Sequence, residues 1–513
     1  MRRVTLCLTA LLAASGVVGV AGGTLTFLMR NAPAALDPAV VTGWSIRAMD
    51  PVYEGLVAYD VETGDVIPRL AESWAVSEDG MSYVFHIRQG ISFHDGAELT
   101  ASAVVLNIDR ILGVGTGPAT VLGPVEGAEA VGPYEVLVRL KAIYPELLHA
   151  LTQLYIVSPK AVETYRTDAD PWASAWFRDN MSGTGPFRLL RWDPTAELVL
   201  TRNENYWQGW HGSPIDQIAF RVVLEVPTQR MMLERGEAHI IDQVALEDIA
   251  TMRDDPRFVV HIISETGMFY LMMRSDRGPL SDPRARLAMT YAFPWEDYIE
   301  GAMLGVYPQG QGPIPRAMDV HDSTFPVYRQ DLTKAAELFR GAGIETRGLT
   351  LTMRIVQAWT PMVRAAVMYQ AALAELGITL RIQELNWTAL VAQGRNQEQA
   401  SDMSMVAVGA KMPTPVLLLA DSFHSRGLGT AYNWGWYSNP RFDALLDAAA
   451  VALEPESRSQ LYNEALWLLV EEAPALFVME NTIIFAMSSR VRNYKPNPYS
   501  PYIINFYDLE LGD

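Results

Sequence analysis

Residues 331–387 hold the pattern that most restricts what this chain can fold into. Asp331 can cap a helix carrying Leu332, Ala335, Ala336 and Phe339 on one side, and Gly341 can stop it. Leu349, Leu351, Met353 and Ile355 then alternate with polar residues, the period of a half-buried strand. Thr360-Pro361 reads as a cap followed by proline at the first helical position. Met362, Ala366, Tyr369, Leu373 and Leu376 follow at helical spacing as far as Gly377, and Leu380 and Ile382 open a further strand ending in Trp387. Strand, helix and strand on short loops make a βαβ unit, and its two strands are expected to be parallel. The fold class is α/β.

A second unit runs from Leu70 to Val104. Asp79-Gly80 is a turn signal between Trp74-Ala75-Val76 and a strand in which Tyr83, Phe85 and Ile87 share one face. After a second turn at Asp95-Gly96, Thr100 can cap a helix whose stripe is Val104, Ile108 and Ile111. His94 and Asp95 invite a reading as a catalytic dyad or metal pair, but a strand end and a turn aspartate explain them better. Leu70-Ala71-Glu72-Ser73-Trp74, Asp79-Gly80, Tyr83, Phe85, Arg88, Gly90, Phe93-His94-Asp95-Gly96 and Thr100-Ala101 together resemble the most recognisable block of the bacterial family 5 extracellular solute-binding proteins. That family comprises the peptide, nickel and oligosaccharide receptors of ABC importers.

The resemblance continues in collinear order. Leu36-Asp37-Pro38 and Tyr53-Glu54-Gly55-Leu56 flank an expected helix through Trp44, Ile46 and Met49. Gly183-Thr184-Gly185-Pro186-Phe187 lacks the lysine and following helix of a phosphate loop, and resembles the family's return to its first domain. Gly312-Pro313-Ile314-Pro315 and the stretch Tyr437–Leu446 also match. The resemblance implies a periplasmic-binding-protein type II-like fold of two lobes with an extra inserted domain. Its expected parts are 22–67, 183–280 and 490–513 for the first domain, 68–182 for the insertion and 281–489 for the second lobe.

With 513 residues, 49% hydrophobic and 19% charged, the chain can form two or three ordinary globular domains. Residues 1–21 read as a secretory signal: Arg2 and Arg3, an apolar run from Val4 to Val20, then the small residues Gly19-Val20-Ala21. Removing it shifts the net charge from −19 to −21, which argues against nucleic acid and anionic membranes as partners. The only cysteine, Cys7, lies inside the apolar run rather than at the cleavage point, so no lipid anchor is expected. The mature chain then has no disulfide or thiol chemistry. No later stretch is long and apolar enough to span a bilayer, and a periplasmic monomer is expected.

Catalytic motifs are missing: no paired-histidine zinc helix, no serine elbow, no Walker loop and no CxxC. The eight histidines are scattered. Neither enzyme activity, metal nor cofactor is therefore expected. A binding cleft calls for aromatic walls and a few polar anchors instead. By resemblance, contacts fall in the loop after Asp37 with Trp44, the strand end Gln357-Ala358-Trp359, and the loop Val408–Pro415 with Lys411, Met412 and Thr414. Dipeptide receptors of the family hold the ligand amine with an aspartate in that late loop and the carboxylate with an arginine near the strand end. Here Lys411 and Ala358 stand at about those positions, and no acid lies between Asp402 and Asp421. The expectation is a small solute, a sugar stacked on Trp359 or an anion at Lys411, delivered to ABC permease subunits. The alternatives are a dipeptide or oligopeptide receptor with an unusual amine anchor and an exported saccharide hydrolase.

Overall fold

A computed structural model describes residues 23–212, 215–410 and 412–512. The expected signal segment 1–21, with Cys7, and the candidate ligand residue Lys411 lie outside the described residues. The βαβ reading of 350–385 is reproduced: strands Thr350–Val356 and Thr379–Leu385 are parallel, Leu351 opposite Leu380, with helix Thr360–Glu375 between them. One detail differs. Thr360 is the first helical residue and Trp359 holds the cap position without a side-chain bond, because the indole offers a donor and no acceptor for the free N–H groups of the first turn. Asp331 caps helix Leu332–Gly341 through the Lys334 N–H at 2.8 Å, as its position suggested.

These two strands form one end of a ten-stranded sheet. Its order is 379–385, 350–356, 403–408, 258–273, 475–488, 240–241, 24–29, 217–222, 197–202 and 187–193. Two long strands tie its halves together: Phe258–Met273 and Ala475–Ser488, paired antiparallel. The first has no counterpart in the sequence reading. Met268 to Met273 is buried throughout. A strand covered on both faces loses its alternation and cannot be told from a helix by periodicity.

The pairing changes midway along both strands. Residues 258–264 face 482–488, whose other neighbour is Ile240–Ile241, whereas 268–273 lie between 475–480 and 403–408. Glu265, Thr266 and Gly267 step out of the ladder at this point. Gly267 is required there: a Cβ would sit 2.7 Å from the Val408 carbonyl oxygen and 2.6 Å from Asn481 Nδ2. The two long strands thus exchange pairing partners near 265–267 and 481.

One half packs on Phe27, Phe187, Phe220 and Phe506; the other is covered on both faces. Helices Pro283–Ala292, Leu332–Gly341 and Thr360–Glu375 lie over Met289, Phe339 and Tyr369 on one side. Helices Pro440–Val451 and Pro455–Glu472 cover Phe442 and Leu469 on the opposite side. A separate four-stranded sheet, Ala71–Val76, Ser82–Ile87, Glu135–Leu140 and Val125–Gly132, packs Phe85 and Val136 against Ile108 of helix Ala101–Val114. His94 and Asp95 are structural here: the His94 ring bonds the Gly185 carbonyl at 2.9 Å, and Asp95 accepts from Ser158 Oγ and the Ala97 N–H.

Candidate functional site

The loop after Leu36 is fixed from below. Asp37 is buried in a bidentate pair with Arg110, at 2.8 and 2.7 Å, and its Oδ1 also accepts the Ala39 N–H. Arg110 lies 4.5 Å over the Phe177 ring. Such a pair is geometrically rigid. The chain beyond it forms a short 3-10 helix, Gly43–Ala48, in place of the longer helix expected. Asp50-Pro51 blocks a continuation, since the residue before proline is driven from helical torsions. The short helix presents Trp44, 39% exposed, and Arg47, only 6% exposed. Arg47 Nε donates to the Tyr502 carbonyl at 3.1 Å, and the guanidinium stands 5.1 Å over Phe27. Burial lowers its pKa, opposed by the field of Asp242, which does not reach ion-pair distance.

From the other half of the sheet, Thr350–Val356 ends in Gln357-Ala358-Trp359. Ala358 has φ +58°, a left-handed conformation that costs about 1–2 kcal/mol outside glycine. The Trp359 ring then meets Phe269 edge to face at 5.4 Å and stays 38% exposed. Between the halves, at the step in the long strand, Glu265 accepts the Tyr502 hydroxyl at 3.0 Å. Burial raises the Glu265 carboxyl pKa, partly offset by Tyr502 and Asn481.

These groups share a cleft. A cavity of about 750 Å³ is lined by Arg30, Trp44, Arg47, Asp242, Glu265 and Trp359, among others. A second, of about 460 Å³, is lined by Tyr59, Thr152, Tyr155 and Met412 and shares Glu265, Gly409 and Tyr502 with the first. At the edge of the larger cavity Glu247 and Arg364 pair at 2.8 Å, and Arg364 also donates to the Ala302 carbonyl.

The sequence candidates divide. Trp44 and Trp359 line the larger cavity from opposite sides. Met412 lines the smaller one while packing into the core of the four-stranded unit, its sulfur 3.9 Å from the Tyr144 hydroxyl. Gln357 is exposed and lines neither cavity; its backbone N–H holds Leu385. Thr414 is buried at the start of helix Pro415–Ser422, also away from both cavities, its hydroxyl without a hydrogen-bond partner. Arg47, Asp242, Glu265 and Tyr502 were missed. Glu265 left a trace, as the one charged residue amid Ile262-Ile263 and Met268–Met273 beside Gly267. Among the described residues no group of three or more His, Cys, Asp or Glu side chains could hold a metal ion.

A sheet whose halves are joined by paired long strands, with a cleft lined from both, defines a two-lobed solute-binding protein of the periplasmic type. The chain belongs to the bacterial extracellular solute-binding proteins of family 5, whose description "family 5 Middle" matches residues 65–430. It is similar to the probable D,D-dipeptide-binding periplasmic protein DdpA of Escherichia coli K12, 25% identical over 486 residues and covering 92% of this chain and 91% of that one. The glutathione-binding protein GsiB of Salmonella typhi is 26% identical over 505 residues, with 93% and 95% covered. Among solved structures, the ABC transporter-associated periplasmic binding protein DppA of Helicobacter pylori, in complex with the peptide STSA, superposes with a TM-score of 0.78 at 24% identity, covering 96% of this chain and 98% of that one. As a family member the chain is the solute-binding component of an ABC importer. No described helix is long and apolar enough to cross a membrane.

Proposed function

We propose that the chain captures one small solute in the cleft between Trp44 and Trp359 and presents it to the permease subunits of its importer. One observation carries this reading: the same cavity receives Trp44 and Arg47 from one half of the sheet and Trp359 from the other. Aromatic walls around a few polar anchors are the usual make-up of a ligand site. Closure of two lobes around the solute would bury it between them. The lobes are 22–67 with 183–264 and the C-terminal segment on one side, and 268–480 on the other, with 68–182 as the inserted domain.

The solute carries an anionic group, because Arg47 is a buried cation whose field no contacting carboxylate neutralises. Relatives named for dipeptides and for glutathione, all bearing carboxylates, agree with that chemistry. The ligand is bound and released without turnover. The protein works as an exported, unlipidated monomer in the periplasm. Native mass spectrometry of the mature protein purified without unfolding tests the reading: a retained mass of an acid or peptide is the expected result. A retained neutral sugar would replace the anionic ligand, and turnover of a bound saccharide would replace binding by hydrolysis.

A further inference from the structure

We propose that the cleft is built for a zwitterion, with Arg47 taking the anionic group of the solute and Glu265 its ammonium. This rests on the cleft reading above and adds the second charge.

Both side chains line the larger cavity, and neither makes an ion-pair contact among the described residues; Asp242 acts on Arg47 only from beyond that distance. Arg47 uses only Nε, toward the Tyr502 carbonyl; its other nitrogens make no hydrogen bond or ion pair among the described residues. Glu265 accepts from the Tyr502 hydroxyl and meets no cation within ion-pair distance among the described residues. An unpaired charge of either sign inside a protein is costly unless something charged completes it. One residue holds both groups: the backbone oxygen of Tyr502 fixes Arg47 and its hydroxyl donates to Glu265, so a single residue links the two.

The cavity's described charges are equal in number, and only one pair of them is in contact. They are Arg30, Arg47 and Arg364 against Asp242, Glu247 and Glu265. Glu247 pairs with Arg364; the Arg30 guanidinium is held by the neutral Gln243 and the Leu224 carbonyl, and Asp242 accepts the backbone N–H of Arg30 and acts on Arg47 only through its field, from beyond ion-pair distance. A monoanion would satisfy Arg47 and leave Glu265 uncompensated; a sugar would satisfy neither. A ligand with separated opposite charges fits a site of zero net charge, and the charge-assisted bonds fix its direction. Neither anchor comes from the late loop around 408–415. Glu265 therefore supplies an acid from the central strand where that loop has none.

The test is calorimetry and thermal shift on the full mature chain with β-alanine, 5-aminovalerate, the dipeptide Ala-Phe and the tripeptide Ala-Ala-Phe, each beside its N-acetyl and C-amide forms, with maltose as the neutral control. At least one zwitterion should bind, and acetylation or amidation should each weaken it by ~10-fold or more. Glu265→Gln should abolish the penalty for acetylation, and Arg47→Met the penalty for amidation; should Arg47→Met not fold, Arg47→Gln, which also removes the charge, is read instead. Glu265→Gln binding zwitterions as tightly as the native protein would overturn the proposal, as would equal binding of the acetylated form or no zwitterion binding at all. Trp359→Ala is titrated alongside. Loss there with Glu265→Gln unchanged keeps the cleft and discards the zwitterion, whereas no loss in either discards the cleft.

Discussion

Trp359→Ala separates a ligand wall from a packing residue. The ring is 38% exposed and that exposed part faces the larger cavity. A tryptophan side chain offers up to about 250 Å², so roughly 90 Å² of it is free to be covered by ligand. If about two thirds of that becomes covered, at ~25 cal/mol per Å² the contact contributes about 1.5 kcal/mol. That is roughly a tenfold change in Kd. The covered face, against Phe269 at 5.4 Å, is lost too, which should cost about 1–3 kcal/mol of stability, less than for a fully buried tryptophan. Calorimetric titration of the solute recovered from the native protein, compared with thermal melting, reads both quantities. The expected result is a lower melting temperature together with a Kd about ten times higher. An affinity within twofold of the native value, with melting lowered, would show that Trp359 only packs on Phe269 and would refute the stacking argument.

Three further outcomes follow from the same structure. Arg110→Met should destabilise the protein by about 3–5 kcal/mol in denaturant melts, because Asp37 would be left buried without its bidentate partner; adding Asp37→Asn should recover part of the loss. Gly267→Ala forces a Cβ against Val408 and Asn481, so about 1–3 kcal/mol of destabilisation and weaker solute binding are expected, and an unchanged melt would show that the strand step is pliable. Asp50 sits in a buried setting beside Tyr155 that pushes its carboxyl up to about 6, burial being the leading cause. Its folded pKa lies above the unfolded one, so the native state binds the proton more tightly and stability falls as pH rises from about 4 to 6. Asp50 is only partly covered, so about 1–2 kcal/mol is expected: Asp50→Asn should raise the melting temperature at pH 7.5 and lose that advantage near pH 4.

Much of the fold could be read along the chain because its causes are local. The turn at Asp79-Gly80, the caps at Thr100 and Asp331 and the alternation of Leu351, Met353 and Ile355 each act within a few residues, and each reappears in place. The block from Leu70 to Thr100 carried the family for the same reason: it is a contiguous hairpin, turn and capped helix. Trp359 could be named from the end of such an element, and Trp44 from the resemblance of the loop after Asp37 to the family's. Asp50-Pro51 limits the Gly43–Ala48 element locally; what the chain alone did not show is its anchoring through Arg47 to Tyr502 and Phe27, far away in sequence.

The amino-acid sequence by itself determined the α/β class, the parallel βαβ unit, the hairpin unit and membership in a solute-binding family. Only the tertiary structure decided which charges matter. Arg47 and Glu265 look like any other arginine and glutamate until the sheet brings them to Tyr502, 455 and 237 residues away along the chain. The strength of a charge depends on the water and counter-ions around it, and these are set by segments that meet only on folding.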